Sequence, residues 1–237
     1  MLQLSLLVCC FLFLEEDEEG PEFLIQELLL GETAEVQEPG ELQFTFAPAW
    51  VDGGDRTWPL IFEYGLGGGW EVGLALPYED EKGTSGSDRS GRWGAAEAEV
   101  GYAVNTGGPW LLKLELGAGY PLEEEEEDES WSWETGFSLS RIMDWGALHA
   151  GAGTEEEVDE GERETEVNLG LVLPFGSWRG LLETQYVWEE GEDDSSQLAP
   201  GLAFTYGEME LVLGVVLGLE DQDEDRIWRL SLTYEWD

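Results

Sequence analysis

The sequence predicts an all-β fold: a closed antiparallel transmembrane β-barrel of about twelve strands, with short periplasmic turns and long acidic outer loops. Three observations carry this. From Leu42 to Trp236, apolar residues alternate with polar or small ones at a period of two, the mark of strands with one apolar face. The connections between these runs alternate between short and long. The tryptophans stand at the ends of the runs and never at their centres.

Along the chain, the first run sets Leu42, Phe44 and Phe46 against Gln43, Thr45 and Ala47. The second extends from Trp58 to Tyr64 and the third from Trp70 to Tyr78, with Glu71, Gly73 and Ala75 on the polar face. The fourth covers Ala96 to Tyr102, the fifth Leu112 to Tyr120 and the sixth Trp131 to Leu139. The seventh, Leu148 to Ala152, is the weakest, because Ala and Gly dominate it. Five more follow: Val167 to Leu173, Leu182 to Trp188, Leu198 to Tyr206, Met209 to Leu217 and Trp228 to Trp236. Each approaches the ~9–11 residues of a tilted membrane-crossing strand. The weak seventh run leaves ten or fourteen strands as the neighbouring counts.

Short turns rich in Gly or Pro fall at 65–69, 105–109, 143–144, 174–177 and 207–208. Charged loops fall between them, at 51–57, 79–92, 123–130, 154–164, 189–196 and 220–226. Outer-membrane barrels sort their loops by parity in this way, whereas a soluble sandwich has no reason to. The tryptophans form two sets. Trp70, Trp110, Trp145, Trp178 and Trp236 flank short turns or the C-terminus; Trp50, Trp58, Trp93, Trp131, Trp133, Trp188 and Trp228 flank long loops. Indole prefers the wet edge of an apolar slab, so two aromatic girdles are expected. Trp93 and Trp145 fall off the outward parity, which implies bulges at those strand ends.

Composition limits the alternatives. The 237 residues include 54 acidic and 10 basic side chains, a formal charge of −44. Nucleic acid is excluded as a partner, since no basic patch exists to replace counterions on phosphates. Disorder is excluded by the 12 Trp, 7 Tyr and 9 Phe. After residue 14 no apolar run approaches the ~20 residues of a spanning helix.

Residues 1–14 (MLQLSLLVCCFLFL) read as a degenerate export signal, lacking a basic start and a small-residue cleavage site. Cys9 and Cys10 both lie inside it, so no disulfide, zinc site or thiol chemistry is expected. Residues 15–39 read as an acidic leader or short periplasmic segment, and residues 40–237 as the barrel.

The inward parity carries Glu63, Glu71, Glu97, Glu99, Glu115, Glu134, Glu166, Glu183, Glu210 and Glu235, with Lys113, Arg179 and Arg229 as the basic partners. A wet lumen needs polar groups for its own sake, and carboxylates lining a conducting path also favour cations. His149 is the sole histidine. With a turn at Met143–Asp144 it lies across from Ser138, the minimum for acyl transfer but without an orienting acid, so no catalytic residue is expected. Asp221, Asp223 and Asp225 imitate the start of a calcium loop, but Arg226 occupies the glycine position and no Glu follows at the twelfth, so no metal or cofactor is expected.

The segments GETAEVQEPGELQFTF (31–46) and WPLIFEYGLGGGWEVGLALPYE (58–79) resemble bacterial outer-membrane barrels described as transporters or phenol-degradation meta-pathway proteins. Tyr64, Gly65, Leu66, Glu71, Val72, Gly73, Leu76, Pro77 and Tyr78 fit the pattern, while Gly67 to Gly69 replace the Thr/Asp-type turn. The resemblance implies a transport role and no catalytic motif. The last strand, ending Tyr234 and Trp236, resembles the recognition signal of the barrel-assembly machinery, with Asp237 as a departure.

The function expected is passive or facilitated passage of a small solute, favouring cations, through a narrow lumen that side chains or the acidic leader plug in part. Outer-membrane lipid, lipopolysaccharide and the assembly machinery are the expected partners. The alternatives are a non-conducting structural or adhesive barrel and an outer-membrane lipase.

Overall fold

The computed structural model describes residues 28–31, 33–51, 54–82, 89–105, 108–122, 131–158, 161, 163–189, 194–219 and 226–236. Their strand segments, in order, are β1 (Leu42–Phe46), β2 (Ala49–Val51), β3 (Arg56–Thr57), β4 (Leu60–Gly67), β5 (Trp70–Leu76), β6 (Tyr78–Lys82), β7 (Arg89–Trp93) and β8 (Ala95–Asn105). Then come β9 (Trp110–Pro121), β10 (Ser132–Met143), β11 (Gly146–Glu157), β12 (Arg163–Phe175), β13 (Trp178–Glu189), β14 (Ser195–Tyr206), β15 (Met209–Gly218) and β16 (Arg226–Trp236). All pair antiparallel, each with its neighbour, and β1 pairs with both β4 and β16. Leu42 faces Tyr64 on one side and Trp236 on the other, so the sheet closes.

Four segments extend others rather than adding to the circumference. Phe46 faces Leu60 and Ala49 faces Thr57 in one unbroken register, so β2 and β3 continue β1 and β4. In the same way β6 and β7 continue β5 and β8, leaving a twelve-stranded barrel. The interruptions fall at Pro48, Pro59, Pro77 and Gly94, since proline has no N–H to give to the ladder. Neighbouring bonds bridge them: Ala47 N–H to Pro59 O at 3.2 Å, Leu230 N–H to Pro48 O at 3.0 Å and Gly94 N–H to Pro77 O at 3.0 Å.

Several sequence expectations shift. The charged stretches at 51–57 and 79–92 are not simply loops: β2 pairs with β3, and β6 with β7. An antiparallel ladder in water needs no apolar face, so alternation of hydrophobicity does not reveal it. The weak seventh run is the full-length β11, held by complete ladders to β10 and β12. The turn expected at 143–144 is Asp144–Trp145, because Met143 faces Gly146. Trp145 is therefore a turn residue and needs no bulge. Trp93 does have one: Ala75 faces Glu97, yet Tyr78 faces Trp93, so three steps on one strand match four on the other. The extra residue turns the Trp93 ring to the outer face, edge-on to Tyr78 at 5.3 Å. Residues 123–130, 190–193 and 220–225 lie outside the described residues.

The outer face presents Leu114, Leu116, Phe137, Leu182, Leu202 and Leu213 as an exposed apolar band. Aromatic pairs bound it. On the turn side Trp70 meets Tyr102 at 4.6 Å, Trp178 meets Phe204 at 4.9 Å and Trp236 meets Tyr234 at 4.5 Å. On the loop side Trp58 stacks on Phe46 at 6.2 Å and Trp188 on Tyr186 at 4.5 Å. Trp178 and Trp188 close the two ends of β13. Their spacing is ~33 Å along the strand, or ~25 Å after a tilt of ~40°, the height of a barrel's lipid band.

Leu116 sits at the middle of this band, 53% exposed. Leu116→Arg is expected to destabilise the barrel by about 2–4 kcal/mol in bilayers, whereas Glu97→Gln, an exposed carboxylate on the inner face, should cost far less. Urea titrations in lipid vesicles check this, and equal costs would mean that the two faces are misassigned.

Candidate functional site: a lumen occupied by the leader

The inward face is built as a mosaic of glutamate and glycine. Glu99 faces Gly73 and Gly117; Glu134 faces Gly117; Glu71 and Glu115 face Gly101; Glu166 faces Gly153; Glu183 faces Gly170. A Cβ at Gly73 would collide with the Glu99 side chain, and one at Gly117 with Glu134. Each carboxylate therefore lies along the wall over a neighbour with no side chain. Counting parity finds the glutamates, but only the register shows that glycine makes their room.

The interior has two halves. Strands β4 to β10 supply Glu63, Glu71, Glu97, Glu99, Lys113, Glu115 and Glu134, while β11 to β16 present Ala147, Val172, Leu181, Ala199, Ala203, Val212 and Val216. This apolar half is missed by a reading that treats the whole inward face as wet. Its signal is present in the sequence: Val212 and Val216 break the alternation of their run.

The described part of the leader, residues 28–31 and 33–39, occupies this interior. Leu28, Leu29 and Leu30 join the apolar cluster. The Leu29 and Leu30 N–H groups donate to the two Glu183 carboxylate oxygens, each at 2.8 Å. Arg229 donates to the Leu29 carbonyl, and Gln185 Nε2 to that of Leu30 at 3.4 Å. Further along, Ala34 N–H donates to Ser140 Oγ at 2.9 Å and Gln37 N–H to Glu71 Oε2 at 2.9 Å. The partners come from β5, β10, β13 and β16, around the circumference, so the segment is enclosed. Glu183 binds it as an anion binds a helix start, two backbone N–H groups converging on one carboxylate, but in extended chain.

Beside the leader a cavity of about 490 Å³ remains, bordered by Glu97, Glu99, Glu115, Glu134 and Glu166, with Arg229 as its one basic lining residue among the described residues. Lys113 is buried between Glu71 (2.9 Å) and Glu115 (2.7 Å). Gln185 Nε2 donates to Glu166. Arg179 donates to Thr205 Oγ1 at 2.7 Å near the short turns. Glu210 is buried opposite Thr205 and Thr233, and Glu235 faces Gln43; with Arg179 they stand apart from this cavity.

His149 lies opposite Ser140, not Ser138, as the displaced turn requires. Ser140 Oγ is 2.8 Å from His149 Nδ1. The same oxygen accepts the Ala34 N–H, so one hydroxyl joins the leader to the imidazole. Nε2 is buried, and no acid orients it among the described residues. The pair is a docking contact for the leader, inside the wall and away from the lipid-facing surface that a lipase requires.

Comparison with known proteins agrees with this architecture. No protein-family model and no curated protein sequence matches the chain. Among solved structures it is similar to an outer membrane channel from Pseudomonas putida F1, with a TM-score of 0.62 and 9% identity over 88% of this chain and 99% of that one. It is also similar to the KdgM porin in complex with disordered oligogalacturonate (0.60, 7% identity, 82% and 99% covered) and to the NanC porin (0.60, 9%, 81% and 98%). The chain thus has the fold of the porin-like outer-membrane barrels.

Glu183→Ala should release the start of the leader. Losing a charged acceptor costs ~1.5–3 kcal/mol per bond, so amide exchange at Leu29 and Leu30 should accelerate at least tenfold while the β13 ladder stays protected. Unchanged exchange would show that the Leu28–Leu30 packing holds the segment alone.

Proposed function

We propose that the protein stands in a bacterial outer membrane and passes small solutes, favouring cations, with the leader setting the aperture. The observation that carries this is the cavity beside the leader, where Glu97, Glu99, Glu115, Glu134 and Glu166, from four strands, meet a single arginine. Where walls restrict water, that imbalance lowers the energy of positive ions and repels anions. The KdgM and NanC porins and the Pseudomonas putida channel, by their names, are passages, and the fold shared with them supports the reading. The resemblance of residues 58–79 to phenol-degradation proteins makes aromatic solutes the first arm of an uptake panel, beside sugars and ions. The acidic rim gives divalent ions a bridge to lipopolysaccharide, and the final strand is the address for the assembly machinery.

A second reading, a non-conducting structural barrel, is favoured by one observation: the leader fills the apolar half of the lumen. Conductance in planar bilayers separates the two. A KCl gradient should give a cation-selective reversal potential that persists at high salt, because rim charges are screened beyond ~10 Å while lumen charges are not. Neutralising Glu97, Glu99 and Glu115 to Gln should move that potential toward zero. Removing residues 15–39 should raise the conductance severalfold. A silent barrel in both forms would sink the passage reading, and anion preference would sink the role given to the glutamates.

A further inference from the structure

Below the main cavity lies a smaller one, of about 130 Å³, where the leader meets β4, β5, β8 and β9. Glu63, Glu99 and Lys113 line it, and buried Glu71 is paired with Lys113 behind that lining. One oxygen from each of Glu63, Glu71 and Glu99 lies within 4.8 Å of the others. The three oxygens are close enough together for one hard cation to touch all of them.

An acidic cluster alone would say little, but the leader adds an oxygen that points to a ligand. Gln37 lines the same cavity and is nine-tenths buried. Its amide orientation is fixed by a chain of donors. Gln43 Nε2 donates to Glu63 Oε2 and, at 3.4 Å, to Thr45 Oγ1, so Gln43 Oε1 must accept. Gln37 Nε2 supplies that bond at 2.6 Å. Gln37 Oε1 is thereby turned away, buried and without a hydrogen-bond donor among the described residues. A buried carbonyl oxygen left this way is destabilising, and a hard cation beside it would bind the neighbouring carboxylates as well. Charge agrees: Glu63, Glu71, Glu99 and Glu115 against Lys113 leave a formal three negative charges in one group, in which Glu71 and Lys113 are buried and the rest half-buried.

We propose that Glu63, Glu71, Glu99 and the Gln37 carbonyl form a site for a hard divalent cation, with calcium as the probe, that ties the leader to the barrel wall. Lys113, which also lines this cavity, and the Gln37 N–H each engage one Glu71 oxygen, so the ion shares Glu71 with them. Three carboxylates and one neutral oxygen belong to hard-ion chemistry, and water in the cavity completes the coordination. The site depends on the leader lying in the lumen and not on solute passage.

The test is calorimetric titration of calcium into the full chain in detergent, after chelator dialysis and in ~150 mM NaCl to screen the rim acids. One saturable ion per chain is expected above the weak background. Glu63→Gln with Glu99→Gln should weaken it at least a hundredfold, and Gln37→Leu about tenfold. Neutralising Asp221, Asp223 and Asp225 to Asn should leave it intact. Wild-type binding in the Glu63/Glu99 variant, or its loss in the loop variant, would place the ion on the rim and overturn the proposal. Unchanged affinity in Gln37→Leu would overturn the leader's part. If the double carboxylate variant fails to fold, as judged by heat-modifiable gel migration, Gln37→Leu decides alone. A cavity that holds only water would give no saturable ion in any form.

Discussion

Closure of the sheet is the constraint on which everything else depends. An open edge in hydrocarbon leaves a row of N–H and C=O groups without partners, and each costs several kcal/mol. The short β1, only Leu42–Phe46, meets this demand by pairing with β4 and β16 at once. Once the cylinder is closed, the two faces of every strand have separate solvents. The outer face is apolar by necessity, and the inner face is free to carry charge. The glutamate–glycine mosaic is what that freedom produces: long carboxylates need somewhere to lie, and the register gives each a bare neighbour.

Polar groups brought inside must then satisfy one another, and the wall does not do this alone. Glu183, Ser140 and Glu71 offer acceptors that point inward, and the backbone of the leader supplies the donors. The leader's own N–H groups would be orphaned in the apolar half without them. Wall and leader therefore complete each other: wall oxygens accept from the leader's N–H groups, and Arg229 and Gln185 donate to its carbonyls. Leu28 to Leu30 add apolar contact where Val172, Leu181 and Val212 line the opposite side.

The legible part of the fold was the part governed by alternation. Strands with Leu or aromatic residues on one face, such as β9 and β16, stand out because water and lipid demand different residues at successive positions. Strand β11 is faint because Ala and Gly suit either face, and its existence follows only from pairing with β10 and β12. The β6–β7 hairpin is hidden for a related reason, since both of its faces are polar. The position of His149 turned on a one-residue choice of turn, which moves its partner by two along β10. Parity identified the inward glutamates, but not their levels, because levels depend on the stagger between strands. The leader's place was least legible. A short apolar stretch among acids has no periodicity, and its burial comes from partners more than a hundred residues away.

One contact within the lumen constrains how this sequence can change. Gly201 and Gly214 face each other across β14 and β15, and the Leu29 isobutyl group lies over the pair. A Cβ at either glycine would overlap the Leu29 methyl groups, which must then move. The three positions are therefore coupled in mutation: a side chain gained at 201 or 214 displaces Leu29 from its place. A terminal segment usually drifts freely, as surface loops do. Here its tolerance follows the rule for a protein core, and substitutions in it should be epistatic with those in strands that lie far away in sequence.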